Sequence, residues 1–178
     1  MPKIIENLQD KIIETTKKQL LEKGYKSTTI RSIANECGIG VGTLYNYFKS
    51  KDYIISSFML KDWSLCKEQF KAAEIELKEG KIDKKCFFRK NYSSLLEFNS
   101  KYAFLFNDSD AKVVFSSVLS EKHTLIVKSI SENLKVACLD SKISDIDFLT
   151  EHITNSLLTW SVSNIPFETG YEIIEKLL

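Results

Sequence analysis

Between Thr28 and Lys51 the chain reads T-T-I-R-S-I-A-N-E-C-G-I-G-V-G-T-L-Y-N-Y-F-K-S-K, and the chemistry on offer is recognition rather than reaction. Thr43, Tyr45, Asn46 and Tyr47 supply hydroxyl and amide groups that donate and accept hydrogen bonds, while Arg31, Lys49 and Lys51 supply donors suited to phosphate oxygens. So many contact groups on one short segment would be wasted in a core, and they imply a partner surface. No nucleophile elbow, paired-histidine motif or Gly-rich phosphate loop is present, so no catalytic residue is assigned and the chain is not expected to be an enzyme. A cysteine or serine nucleophile with His123 or His152 is the competing reading, and turnover of generic esters or thioesters would reveal it.

Two short helices around a glycine-containing turn would position these groups. Thr28 offers a hydroxyl as helix N-cap, Ile30, Ile33 and Ala34 make an apolar stripe at helical spacing, and Gly38 supplies the backbone freedom of the turn. A second helix is expected over Val41–Phe48, with Leu44 and Phe48 four apart on the face that packs inward. This is the anatomy of a helix-turn-helix reader of duplex DNA.

Thr28, Thr29, Arg31, Ile33, Ala34, Gly38, Gly42, Thr43, Leu44, Tyr45, Tyr47, Phe48, Lys49 and Lys51 together resemble the signature of the TetR family of bacterial transcriptional regulators. The resemblance covers roughly the first third of the chain, and the remainder matches only as a helical pattern. It implies that Val41, Gly42, Thr43 and Tyr45 approach base edges, with Arg31 reaching the groove from the preceding helix. It further implies that Thr29, Tyr47 and Lys51 hold phosphates; Thr28, Asn46 and Lys49 complete the set assigned to DNA. Gly40 and Val41 depart from the pattern, standing where many members have a polar residue and a lysine, so readout here would lean on apolar contact with thymine methyl groups.

Charge distribution agrees with a reading head. The net charge of the 178 residues is only +1, but residues 1–51 hold nine Lys and Arg against five Asp and Glu, and the rest hold sixteen against nineteen. The basic excess therefore sits with the motif, where phosphates would be neutralised. Cys37, Cys66, Cys86 and Cys138 are far apart, with no C-x-x-C pair and no histidine at ligand spacing, so no metal or cofactor is called for. Buried small hydrophobes in a reducing cytoplasm and a redox- or metal-sensing thiol are the two readings of these cysteines. No apolar run approaches the ~20 residues that span a bilayer, so a soluble, cytoplasmic protein without membrane contact is expected.

With two prolines and six glycines, the chain should be all-α: an N-terminal three-helix domain over 1–50, then a helical effector-binding and dimerisation domain over 51–178. The first helix is expected from Lys3 to Lys23, with Ile5 and Leu8 on its apolar stripe and Gly24 just beyond its end. Ser50 should cap a long helix ending near Gly80. Further helices are expected over Lys84–Phe98, Lys101–Phe106, Ala111–Leu139 with or without a break near Ser120, Asp145–Asn164 and Phe167–Leu178. The TetR resemblance implies that the last two pair with their two-fold mates, giving a homodimer on a palindromic operator. Aromatic residues crowd the body, and Trp63, Tyr92, Phe115 and Trp160 are the candidates for lining a cavity that takes a small apolar or aromatic effector, beside small residues such as Ser116, Ser117 and Ser156. His123 and His152 are either polar groups of that cavity or solvated. A repressor released by its effector is the expected function; an effector-free DNA-binding or interaction protein of the same fold is the alternative.

Overall fold

The computed structural model describes residues 7–178, and the side chains of all of these except 113–123. Among the described residues there are eight helices and no strand: α1 (Leu8–Ser27), α2 (Ile30–Cys37), α3 (Val41–Tyr45), α4 (Lys51–Lys78), α5 (Lys84–Phe106), α6 (Ser109–Cys138), α7 (Ile146–Val162) and α8 (Phe167–Leu177). They form two compact units. One holds the chain up to Asp62 together with Phe104–Val114; the other holds Trp63–Ala103 and Phe115–Leu178.

In the first unit, Leu8, Ile12, Ile33, Ala34, Cys37, Leu44, Phe48 and Ile54 form the buried core, so α1, α2, α3 and the start of α4 each contribute one apolar face. Gly24 ends the regular part of α1 as its position suggested: its φ of 75° and ψ of 174° lie outside the helical region, and the residues up to Ser27 follow a kink. The expected start at Lys3, with Ile5, lies outside the described residues. The cap of α2 is Thr29 rather than Thr28. Thr29 Oγ1 accepts from Ser32 N at 3.0 Å while Ser32 Oγ accepts from Thr29 N at 2.9 Å, a reciprocal capping box. Thr28 cannot serve because it is buried, with its hydroxyl donating to Gly24 O.

The second unit is built around Phe70, Phe87, Phe88, Leu95, Ile130, Leu134, Leu149, Ile153, Leu157 and Ile174, drawn from α4 to α8. Asn99-Ser100 does not break α5, contrary to the expectation of two helices. Asn99 Nδ2 donates to Ser161 Oγ at 2.7 Å, so its side chain is engaged across to α7 instead of competing for its own backbone. Ser50 caps α4 as expected, its Oγ accepting from Tyr53 N, and α7 is capped by Asp145 on Phe148 N. α7 and α8 meet closely at Gly170, where a Cβ would lie 2.5 Å from the Trp160 ring.

Candidate nucleic-acid interface

The turn that joins α2 to α3 is set by Gly38. Its φ of 71° is left-handed, its N–H reaches Asn35 O, and Ile39 N reaches Ala34 O at 3.0 Å, so the open carbonyls at the end of α2 are satisfied before the chain turns. Helix α3 is shorter than the expected Val41–Phe48. After Tyr45 the backbone tightens, with Asn46 N on Thr43 O and Tyr47 N on Leu44 O, three residues back rather than four. Leu44 and Phe48 stay buried and anchor this segment to the core. Its outer side is then fixed by exclusion: Gly42, Tyr45, Asn46 and Lys49 are exposed, and Val41, Thr43 and Tyr47 are half-buried.

Two details describe that side. Tyr45 keeps 53% of its surface accessible although it is large and aromatic. A Cβ added to Gly42 would meet nothing within 4 Å, so no internal contact requires a glycine there, whereas close approach of another molecule would. Arg31 and Thr29 are also exposed, at the first turn of α2. Thr28 is the exception among the residues assigned to DNA: with no accessible surface, its side chain has nothing to offer a duplex. Lys51 is half-buried, and its Nζ donates to Tyr25 O at 2.6 Å. The signal that would have found this contact is spatial, since Tyr25 and Lys51 lie 26 residues apart.

In the second unit the proposed lining residues are occupied by packing. Trp63 stands edge-on to Phe70 and Phe98, Tyr92 is buried with its hydroxyl donating to Ile165 O, and Trp160 lies against Gly170. Phe115, Ser116, Ser117 and His123 lie outside the residues whose side chains are described. A groove of about 300 Å³ runs between α6 and α7, and its lining includes Lys128, Ser131, Lys135, Asp147 and Thr150. His152 is exposed on α7 and stacks on Phe148.

Cys37, Cys66 and Cys138 are buried, and burial pushes the last two thiols up to about 12 and about 11, which disfavours the thiolate that binds metals or reacts. Cys86 is half-buried. Among the described residues no His, Cys, Asp and Glu cluster could hold a metal ion, and no helix is long and apolar enough to cross a membrane.

Comparison with known proteins bears on the same segment. Residues 12–57 match the family described as bacterial regulatory proteins, tetR family. The uncharacterized HTH-type transcriptional regulator YerO of Bacillus subtilis is 43% identical over 49 residues, which is 28% of this chain and 17% of YerO. The fatty acid metabolism regulator protein of the same organism is 27% identical over 124 residues, 70% of this chain and 59% of its own length. The chain thus spans less than two thirds of these relatives. Among solved structures, the fatty acid degradation regulator FadR from Bacillus halodurans superimposes with a TM-score of 0.59 at 16% identity, covering 98% of this chain and 96% of that one. This last likeness is one of fold.

Proposed function

Because the chain belongs to the TetR family of bacterial transcriptional regulators, we propose that it binds a palindromic DNA operator as a homodimer and is a repressor released by a small apolar or aromatic effector. The observation that carries this reading is the outer side of α3, where Gly42, Tyr45 and Asn46 stand exposed while Leu44 and Phe48 hold the helix to the core. In each subunit α3 enters a major groove. Val41, Gly42, Thr43 and Tyr45 meet base edges, with Val41 offering apolar contact to thymine methyl groups, and Arg31, Thr29, Tyr47 and Lys49 meet the groove wall and backbone. The similar proteins are named as transcriptional regulators, not enzymes.

Dimerisation is supported by what α7 and α8 leave uncovered. Their inward stripe of Leu149, Ile153, Leu157, Tyr171 and Ile174 is consumed by the core of the unit, so it is not the interface. Phe148, Val162 and Ile173 point elsewhere and remain 66, 66 and 55% exposed, a cost that a two-fold mate would remove. An apolar effector agrees with a helical unit rich in aromatic residues, and with two similar proteins named for fatty acid metabolism and degradation. Whatever factor the effector takes from operator affinity, the operator must take from effector affinity. The rival reading, an effector-free regulator, is favoured by the packed state of Trp63, Tyr92 and Trp160; thermal stabilisation by a series of long-chain acids or their thioesters would exclude it.

Substitutions on α3 test the DNA reading. Thr43→Ala should relax sequence choice, and Tyr47→Ala should weaken binding to all duplexes alike. Equal sequence preference and affinity in both variants and the wild type would remove α3 from the interface.

A further inference from the structure

Tyr25 is gripped at four points by its own unit. Its N–H donates to Asp108 Oδ2 at 3.2 Å, its carbonyl accepts from Lys51 Nζ at 2.6 Å, its ring lies under that ammonium at 3.5 Å from the centroid, and its hydroxyl donates to Asp52 Oδ1. Asp108 is committed on both sides, because its Oδ1 also accepts from Asp110 N and Ala111 N and so starts α6. Those N–H groups hold the Asp108 carboxyl below the usual carboxylate range. Tyr25 itself follows the Gly24 kink and stands four residues ahead of the Thr29 cap of α2.

A lysine kept for phosphate should hold its ammonium in water, free to meet a polyanion. Lys51 instead points inward to a carbonyl and an aromatic face, and burial lowers its pKa. Building on the DNA-binding reading above, we propose that Lys51 and Asp108 are positioning residues. They clamp Tyr25 so that the Phe104–Val114 segment sets the orientation of α2 and α3, and Lys51 is not a phosphate ligand. This assignment departs from the role that family resemblance gives Lys51. It also makes Asp108, 83 residues away in sequence, a determinant of DNA affinity without touching DNA.

The test uses the full chain and a duplex that the wild-type protein selects from a random-sequence library. Lys51→Met, Asp108→Asn and, for comparison, Lys49→Met are titrated on it across a range of salt, and amide exchange is followed at Tyr25. The exposed Lys49 should lower the slope of log K against log salt by about 0.9 when removed, the value for one phosphate. Lys51→Met should lose about tenfold in affinity with the slope intact. Asp108→Asn is the sharper arm. Loss of a negative charge would tighten DNA binding if charge alone mattered, whereas the clamp predicts binding weaker by several-fold and faster exchange at Tyr25, because an amide NH2 would face the Tyr25 N–H.

A slope reduced by about 0.9 in Lys51→Met, or tighter binding by Asp108→Asn, would overturn the proposal. Unchanged exchange at Tyr25 in Asp108→Asn would overturn the clamp while leaving DNA binding intact. A wild-type protein that selects no duplex would bring down the DNA-binding reading, and the positioning role with it. Should Lys51→Met fail to fold, judged by its helical circular dichroism, Asp108→Asn carries the test.

Discussion

The two units of this chain are constrained in opposite ways. In the first, side chains at fixed spacing face outward, as Gly42, Tyr45 and Asn46 do on α3 and just beyond its end, and the proposed DNA contact would depend on their identity. In the second, the described core is filled by Phe70, Phe87, Phe88, Leu134, Leu157 and their neighbours, where volume and apolarity matter more than the particular letter. The family match covers residues 12–57, all in the first unit, whereas over 98% of the chain the likeness to FadR is one of fold, at 16% identity. A surface that must fit a partner of fixed shape restricts residues; a core that must only fill space restricts a pattern.

Core truncation should strain this comparison most. Phe87 has no accessible surface, and Phe87→Ala should cost about 3–5 kcal/mol in urea unfolding while leaving operator preference in the surviving folded fraction unchanged. A shift in sequence preference would show that the second unit also shapes readout. Gly170→Ala comes next, at about 1–3 kcal/mol, because its Cβ would overlap the Trp160 ring; tryptophan fluorescence should move with it. An unperturbed emission spectrum would mean that α8 yields instead of Trp160.

Thr29→Ala removes the capping hydroxyl of α2 and should cost about 1 kcal/mol of stability, yet its effect on DNA affinity should exceed its effect on unfolding if the exposed hydroxyl also meets a phosphate. Equal effects would leave Thr29 with the cap alone. The smallest effect is in acid. The carboxyl of Glu168, beside Lys85 and Arg89, is held below its ordinary value, so the stability it contributes is present above that value and disappears as pH falls through the depressed one. Glu168→Gln should therefore flatten the acid limb of a stability-against-pH curve and change little at neutral pH.

Much of the first unit was legible because local rules act there. Gly24 and Gly38 mark the chain reversals where both have positive φ, and Leu44 with Phe48 gave the inward face of α3. The errors are local too. Thr28 and Thr29 are equivalent as letters, and only packing decides that Thr28 turns inward while Thr29 caps. The short α3 reflects the tight turn at Asn46 and Tyr47, which periodicity does not encode. In the second unit, helix order and the buried face of α7 were readable from spacing, but Asn99-Ser100 looked like a break until its partner on α7 was known. The Tyr25 clamp was invisible, since a hydrogen bond across 83 residues leaves no pattern in either segment.

The central claim is that the outer side of α3 reads duplex DNA in a symmetric pair of subunits. Sequencing the duplexes that the full chain enriches from a random library at moderate ionic strength tests it directly. The account predicts an inverted repeat whose half-sites lie about one helical turn, or a small multiple of it, apart, and loss of that consensus with Thr43→Ala. Enrichment of no sequence over the starting library, or a consensus indifferent to Thr43, would contradict it.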